Sequence, residues 1–505
     1  MPAVQSILPT GSSGIIVEAE CHLSNSLPAI VIVGLGNKAV DEARERVRSA
    51  FASSGIPLPK KRITINLAPA DTPKESTSFD LAIAVAIMQS GGLVQQQLSS
   101  QHAVIGELGL GGNVRPVRGI IGKIRIGQEL GITTFLIPAD NFEQANLVPD
   151  VTLIPLTSLH ELYQGLQGKV MLNETRTVND PTALTTAYSH GDPFCDVSGQ
   201  AVAKRALSIA TAGQHNVLLS GPPGTGKSML ARCVPALLPP MSRQEMLAVT
   251  HLHSLTGTHY DELITERPFR TPHHSASHIA MIGGGSPPRP GEISLAHHGV
   301  LFLDEMPEFS RQALESLRQP LEERSITIAR SKETVTYPAD FMLVATANPC
   351  PCGYYGTARL CSCTAASIRS YRQRLSGPLL DRIDIYANVE AVEHKRLIED
   401  PVMSSQSDTH AIGLAHQRQL YRFGKAGRHN SSMTNQEIRR LCSFTGDAKA
   451  FLDQAADRLT ISARSYMRIL RVARTIADMA DSDHITIEHL TEAIYYRPRS
   501  SAPPE

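Results

Sequence analysis

Hydrophobic and polar residues alternate with a period of two at several places in the first third of the chain. Residues 14–20, 29–33 and 62–67 each read as a short strand, and 39–51, dense in Arg and Glu, reads as a helix. Three later runs, at 217–219, 299–303 and 341–347, are almost wholly apolar. Such runs suit strands covered on both faces, as in a parallel sheet between helices. The stretch 326–337 alternates on either side of a polar centre and predicts a β-hairpin with Arg330 and Lys332 near its tip. Beyond residue 396 the apolar spacing changes to three and four. Thr434 and Glu437 form a capping-box pattern, and Ser462 can cap a helix on which Tyr466, Ile469, Leu470, Ala473 and Ile476 share one face. Arg464, Arg468, Arg471 and Arg474 ride on the same helix, a run that ordinarily marks a solvated face. Ile487, Leu490 and Ile494 mark a final helix.

These patterns predict five segments: an α+β accessory domain at 1–165, a polar linker at 166–195, an α/β core at 196–395, a helical domain at 396–496 and a disordered tail at 497–505. Within the last third, 400–433 is polar and serine-interrupted, and part of it reads as a mobile loop.

The residues at the ends of the apolar runs carry the chemistry. The first run leads into Gly221-Pro222-Pro223-Gly224-Thr225-Gly226-Lys227-Ser228, and then into a helix-compatible segment. Strand, glycine loop and helix in that order make a phosphate cradle. Backbone N–H groups can curl around a phosphate where a Cβ would clash, and the helix N-terminus adds partial positive charge. Lys227 would reach the terminal phosphates and Ser228 would ligate Mg²⁺. The second run ends in Asp304 and Glu305. Asp304 can hold the hydration shell of the magnesium, and Glu305 can polarise an attacking water. The pairing of the two motifs implies ATP binding and hydrolysis with Mg²⁺.

The third run ends at Asn348, and two Cys-x-Cys pairs come directly after it, Cys350 with Cys352 and Cys361 with Cys363. Four thiolates so spaced could close a tetrahedral Zn²⁺ site, although the pairs are tighter than the usual Cys-x₂-Cys. The alternative is a loop of free or redox-active thiols. Adjacent His273 and His274, lacking a nearby Cys or carboxylate in sequence, read as hydrogen-bonding loop residues rather than ligands.

Composition changes this picture little. Lys plus Arg and Asp plus Glu are 48 each, so any polyanion-binding surface must be a local patch. Trp is absent and aromatic residues are 5%, which weakens a single-strand stacking platform. Eight Cys in 505 residues are too few for a disulfide scaffold. The N-terminus lacks a charged and apolar leader pattern and no apolar run reaches membrane length, so a cytoplasmic protein without a membrane partner is expected.

Two stretches resemble known families. Lys74 to Asp80 with the apolar residues after it, and 106–117, resemble the proteolytic domain of Lon proteases, in which serine and lysine form a dyad. Ser78 falls at the serine position, but Ile121 stands where the lysine would be, so peptidase activity is disfavoured. The block from Arg267 through His273, His274 and Ser277, the glycines 283–285 and the 290–298 segment resemble the Mg-chelatase-type AAA+ family, specifically its bacterial ComM (YifB-like) branch. The resemblance spans nearly the whole chain. It implies an α/β P-loop AAA+ core, a Lon-protease-like N-terminal domain and a C-terminal helical lid.

The same resemblance assigns further roles. Asn348 would be the first sensor and Arg382, in Leu-Leu-Asp-Arg-Ile-Asp, an arginine finger acting on a neighbour's nucleotide; the competing reading is an ion pair of Arg382 with Asp384. Arg464 would be the second sensor, reaching from the lid to the nucleotide. A finger supplied in trans implies a homo-oligomer, expected to be a hexamer. In related helicases the hairpin ahead of the third strand grips DNA, a role that would fall to Arg330 and Lys332; a solvated tip is the alternative. ComM-type proteins are branch-migration helicases of natural transformation. The resemblance therefore implies an ATP-driven motor on single-stranded and branched DNA, working with a recombinase or other recombination proteins. The alternative is a protein-remodelling ATPase of Mg-chelatase or chaperone type.

Overall fold

The computed structural model describes residues 3–10, 13–34, 37–69, 74, 77–177, 194, 197–256, 263–285, 288–329, 334–357, 359–375, 377–390, 405–424 and 427–497. The chain divides into two compact units. The first comprises residues 1–184, 246–264 and 331–336; the second comprises 185–245, 265–330 and 337–505.

The first unit is built on a mixed eight-stranded sheet. Strands Ala3–Thr10 and Ser13–Ser24 pair antiparallel with Ile7 opposite Ile16, and Ser13–Ser24 continues antiparallel to Arg62–Ala68. Towards the other edge His102–Val104, Thr134–Pro138 and Thr152–Leu156 run parallel. The alternation expected at 62–67 is realised with Ile63, Ile65 and Leu67 buried. Thr175–Arg176 adds a short edge strand beside Thr152–Leu156, so part of the segment expected to be linker belongs to this sheet. Helix Asp80–Ser90 is apolar on every side and buried along nearly its whole length, as a helix inside a core must be. Helix Ile120–Glu129 buries Ile120, Ile121, Lys123 and Ile124. Its Gly127 lies where a Cβ would come within 2.6 Å of the Phe135 ring, which explains the small residue.

The second unit carries a five-stranded parallel sheet in the order Phe269–Arg270, Val300–Leu303, Met342–Ala347, Val217–Ser220, Ile385–Asn388. All residues of Val300–Leu303 and Met342–Ala347 are buried, as the unbroken apolar runs predict. Val217–Ser220 sits between two strands that come later in the chain, so the sheet reverses its order of winding beside it. That is the topological switch at which open α/β sheets bind ligands, beyond the carboxyl ends of the strands.

Helices Ser405–Phe423, Gly446–Arg458, Ala463–Met479 and Ile487–Tyr495 share one apolar core with the sheet and with helix Ala201–Gly213. The arginine run on Ala463–Met479 departs from the expected solvated face: Arg474 is 1% exposed and Arg468 is 5%. Arg474 donates from Nη1 to the Asp483 carbonyl at 2.7 Å and from Nε to Asp478 at 3.1 Å. Asp478, wholly buried, also accepts from Arg422 and from Asn430 Nδ2, each at 2.8 Å or less. Loop carbonyls and a buried carboxylate replace the water these guanidinium groups would otherwise need.

Strands Ser325–Ala329 and Thr334–Pro338 form the hairpin expected from the alternation. Its tip, with Arg330 and Lys332, lies outside the described residues, as do much of the expected linker and the tail beyond 497. Among the described residues no helix is long and apolar enough to cross a membrane.

Candidate nucleotide and metal sites

Three neighbouring strands deliver one cluster of side chains at their carboxyl ends. Val217–Ser220 leads into the glycine loop, where Gly224 and Gly226 adopt φ of +78° and +84°, a left-handed conformation that other residues reach only with strain. Gly221 has a second reason: a Cβ there would lie 2.2 Å from the Val389 carbonyl oxygen. Helix Lys227–Leu237 begins at once, so its first N–H groups face the loop.

Lys227 is 8% exposed. Its Nζ donates to the carbonyls of Gly221 at 2.8 Å and Pro222 at 2.7 Å and to Asn348 Oδ1 at 3.1 Å. Burial lowers the ammonium pKa, and the Asp304 and Glu305 carboxylates oppose the shift. Ser228 Oγ donates to Asp304 Oδ2 at 3.0 Å. A hydroxyl and a carboxylate side by side are hard oxygen donors of the kind Mg²⁺ takes, and they fit that ion. Glu305, with φ of 51°, turns out of its strand so that Oε1 accepts from Asn348 Nδ2 at 3.2 Å. Lys227, Ser228, Asp304, Glu305 and Asn348, separated by up to 121 positions, are thus one hydrogen-bonded group.

Thr346 was not among the sequence candidates. Its Oγ1 donates to Asp304 Oδ1 at 2.6 Å and accepts from the Glu305 amide at 2.8 Å, fixing the Asp304 carboxylate and the backbone of Glu305. The signal was a lone hydroxyl in an otherwise apolar run. Gln200, with φ of 59°, donates from Nε2 to Glu390 O at 2.6 Å and Thr225 O at 3.3 Å, tying the start of its helix to the phosphate loop.

Arg382 and Arg464 are not brought to this cluster. Both guanidinium groups bind Glu322, Arg464 Nη2 at 3.0 Å from Oε1. Arg382, the stronger influence, and Arg464 hold the Glu322 carboxyl below its ordinary range. Asp384, the alternative partner of Arg382, instead meets His215 Nδ1 at 3.2 Å. The two arginines line a cleft of about 690 Å³ with Arg324, Arg439 and Arg471, and no phosphate-loop residue lines it. Within this chain Arg464, expected to reach from the lid to the nucleotide, lies on that cleft with Arg382 and Glu322. One turn on, Arg468 Nη1 donates to the Ile383 carbonyl at 2.6 Å, which anchors the start of helix Ala463–Met479 beside Arg382.

The four cysteines after Asn348 converge, with all four Sγ atoms within 4.8 Å of one another. Cys350 and Cys352 are 3.4 Å apart, Cys352 and Cys361 3.5 Å, and Cys350 and Cys361 3.7 Å. Sulfurs around a tetrahedral zinc at about 2.3 Å would be separated by about 3.8 Å, so the set fits Zn²⁺ and is too open for disulfides. The Tyr354 amide brings the Cys352 thiol down to about 6, favouring the thiolate a metal needs. Gly353, with φ of +83°, lies where a Cβ would be 2.5 Å from Pro223 Cδ, so this loop abuts the phosphate loop. His273 and His274 remain loop residues, with His273 Nδ1 2.7 Å from Ser275 Oγ.

In the first unit, Ile121 is buried in the core, but Lys123 Nζ lies 3.2 Å from Ser78 Oγ. The amine that a motif comparison leaves missing is supplied from two positions further along the helix.

Comparison with known proteins agrees with this architecture. The family described as magnesium chelatase, subunit ChlI, matches residues 193–397; subunit ChlI of Mg-chelatase matches 19–141, and the subunit ChlI C-terminal family matches 403–497. The chain is 40% identical to the competence protein ComM of Haemophilus influenzae over 496 residues, covering 98% of this chain and 97% of that one. It is also 40% identical to YifB of Escherichia coli over 488 residues, 95% and 94% of the two chains. The magnesium-chelatase 67 kDa subunit of Chlorobaculum parvum is 27% identical over 161 residues, 31% of this chain and 23% of that protein. A P-loop joined to Asp304, Glu305 and Asn348 on a parallel sheet, with identity to ComM and YifB along almost the full length, places the chain in the ComM/YifB-like branch of the Mg-chelatase-like AAA+ ATPases.

Proposed function

We propose that the chain is the subunit of an ATP-driven ring that moves on DNA as a branch-migration helicase. ATP and Mg²⁺ would sit on Lys227, Ser228 and Asp304, with Glu305 polarising water held by Asn348. The observation that carries the ring is the position of Arg382 and Arg464. They share Glu322 on a cleft away from their own phosphate loop, so a complete site needs these arginines from a neighbouring copy. A head-to-tail contact of that kind repeats until it closes, and a hexamer is the expected closure.

DNA as substrate rests on the likeness to a competence protein and on the cationic pair Arg330 and Lys332, which the sequence places between the strands Ser325–Ala329 and Thr334–Pro338. In this reading single-stranded and branched DNA pass through the ring, and heteroduplex is extended during natural transformation and recombination alongside a recombinase. The cysteine loop would hold a structural Zn²⁺ beside the phosphate loop.

The test is steady-state ATP hydrolysis with single-stranded, duplex and branched DNA at two salt concentrations. Salt-sensitive stimulation, largest on branched DNA, is the expected result. Turnover indifferent to every DNA would instead favour a protein-remodelling motor, the reading that the partial likeness to a magnesium-chelatase subunit would then support.

A further inference from the structure

Glu322 is shared by two arginines that come from distant parts of the chain. Arg464 Nη2 meets its Oε1 at 3.0 Å, and Arg382 Nη2 meets the same oxygen. Two cations on one carboxylate leave positive charge to spare, and the cleft around them keeps it: six arginines line it against four carboxylates. The other carboxylates have partners of their own. Asp340 pairs with Arg324 at 3.1 Å, Asp381 lies 3.8 Å from Arg468, and Asp384 meets His215 at 3.2 Å. A terminal phosphate, with more oxygens and more charge than one carboxylate, is the ligand chemistry that would displace Glu322 from its arginines.

The partners are not held equally. Arg382 has a side chain only 11% exposed and also donates to the Pro378 carbonyl. Arg464 lies at the start of helix Ala463–Met479, where Ser462 Oγ accepts from the Ser465 amide at 3.2 Å and Arg468 is anchored on the Ile383 carbonyl. Glu322, with a half-exposed side chain, sits on Arg318–Glu323, a helix of six residues. When the ion pairs break, this short helix is the element freest to move. It ends at Arg324, whose φ is 55°. The Arg324 amide donates to the Pro320 carbonyl at 2.9 Å, its carbonyl accepts from the Ala339 amide at 2.8 Å, and its Nη1 donates to Asp340 at 3.1 Å. Strand Ser325–Ala329 begins directly after Arg324, and Thr334–Pro338 ends directly before Ala339. One residue thus joins the helix of Glu322 to the base of both hairpin strands.

We propose that Glu322 is a positioning residue that couples nucleotide in a neighbouring copy to the hairpin of its own chain. The inference rests on the reading that Arg382 and Arg464 serve a neighbour's site. Without nucleotide, Glu322 holds the two guanidinium groups together against their mutual repulsion. When the neighbour's triphosphate arrives, its terminal phosphate takes the arginines over and Glu322 is released. Helix Arg318–Glu323 then shifts, and Arg324 carries the shift to the base of the hairpin. Once phosphate is lost, the arginines return to the carboxylate and the hairpin resets. DNA on the hairpin acts back through the same link, because coupling between two binding sites is reciprocal.

The experiment uses full-length wild type, Glu322→Gln and Glu322→Asp, and measures binding of a slowly hydrolysed fluorescent ATP analogue with and without branched DNA. In wild type, DNA should tighten the analogue by about fivefold or more, the usual size of such a coupling. Glutamine keeps the shape of Glu322 but not the charge that competes with phosphate. Glu322→Gln should therefore bind the analogue more tightly without DNA, by up to about fivefold, the equilibrium ratio of an exposed ion pair. Added DNA should then change its affinity little. Glu322→Asp, which keeps the charge on a shorter stem, should recover part of the DNA effect. Hydrogen exchange at 318–329 should rise in wild type when the analogue is added, and should stand at the raised level in Glu322→Gln without it. A purely structural role predicts the opposite sign, weaker binding in Glu322→Gln. Weaker or unchanged binding with the DNA effect intact in Glu322→Gln, while wild type responds to DNA and Arg382→Ala does not, overturns this proposal alone. Wild-type binding indifferent to DNA, or a full DNA effect in Arg382→Ala, removes the underlying reading and the proposal with it.

Discussion

Replacing Arg382 by alanine tests the shared site most directly. In the isolated chain Arg382 binds Glu322, whose side chain is half exposed. Because Glu322 is solvated the pair is worth about 0–1 kcal/mol, and the mostly buried Arg382 also donates to the Pro378 carbonyl, so deleting it costs the fold about 1–2 kcal/mol in all. A guanidinium at the developing γ-phosphate charge is worth roughly 10³-fold or more in rate, which is about 4 kcal/mol of barrier. The transition-state effect outweighs the lost pair severalfold. Arg382→Ala should therefore fold and bind nucleotide, while kcat for ATP falls by about 10³. Lys227→Ala should also be inactive, through the phosphate loop. Mixing the two variants in equal amounts separates cis from trans. An Arg382→Ala subunit keeps its phosphate loop, and a Lys227→Ala neighbour offers it an intact Arg382. With random order in a head-to-tail ring, about one interface in four is then complete, so about a quarter of wild-type turnover should return. The assay is coupled ATPase after co-assembly verified by native mass spectrometry. A co-assembled mixture no more active than either variant alone would refute action in trans.

Three further outcomes are expected. Cys361→Ser should abolish stoichiometric zinc in protein purified under reducing conditions, measured by a colorimetric chelator, and should lower the ATPase rate because the loop abuts Pro223. Asp478→Ala, which strands Arg422 and Arg474 in the core, should cost about 3–5 kcal/mol in urea unfolding of the second unit; Asp483→Ala, which removes an exposed partner of Arg418, should leave that transition where it was. The first unit should gain stability as pH rises from about 8 to 10.5. In that window the unfolded chain holds a proton that buried Lys123 has released, so the lysine's contribution is complete above 10.5 and lost as pH falls through about 8. The full swing is about 3 kcal/mol. Melting of wild type and Lys123→Met between pH 7.5 and 10 checks it: the rise should be smaller in the methionine variant.

Much of the nucleotide site was legible because its parts are local. A glycine loop between a strand and a helix, and carboxylates ending an apolar strand, are short patterns whose spacing reflects backbone geometry. Thr346 could have been found by the same logic, as a hydroxyl with no reason to lie in a buried run. The arginines were less legible. Guanidinium groups at helical spacing look alike whether they face water, as Arg464 partly does, or sit sealed against loop carbonyls, as Arg474 is. Only the packing of helix Ala463–Met479 against its neighbours tells them apart.

Periodicity and motif spacing by themselves determined the α/β class of the core, its three apolar strands, the glycine loop and carboxylates that cluster at the strand ends, and the four clustered thiols. All reflect contacts made within a few residues or backbone groups that must be buried. Tertiary structure decided that Lys123 rather than position 121 faces Ser78, and that Arg382 and Arg464 meet over Glu322 instead of at their own phosphate loop. Those pairings join residues 45 to 142 positions apart. Nothing local constrains such distances, because only the folded arrangement of helices decides which long side chains can touch.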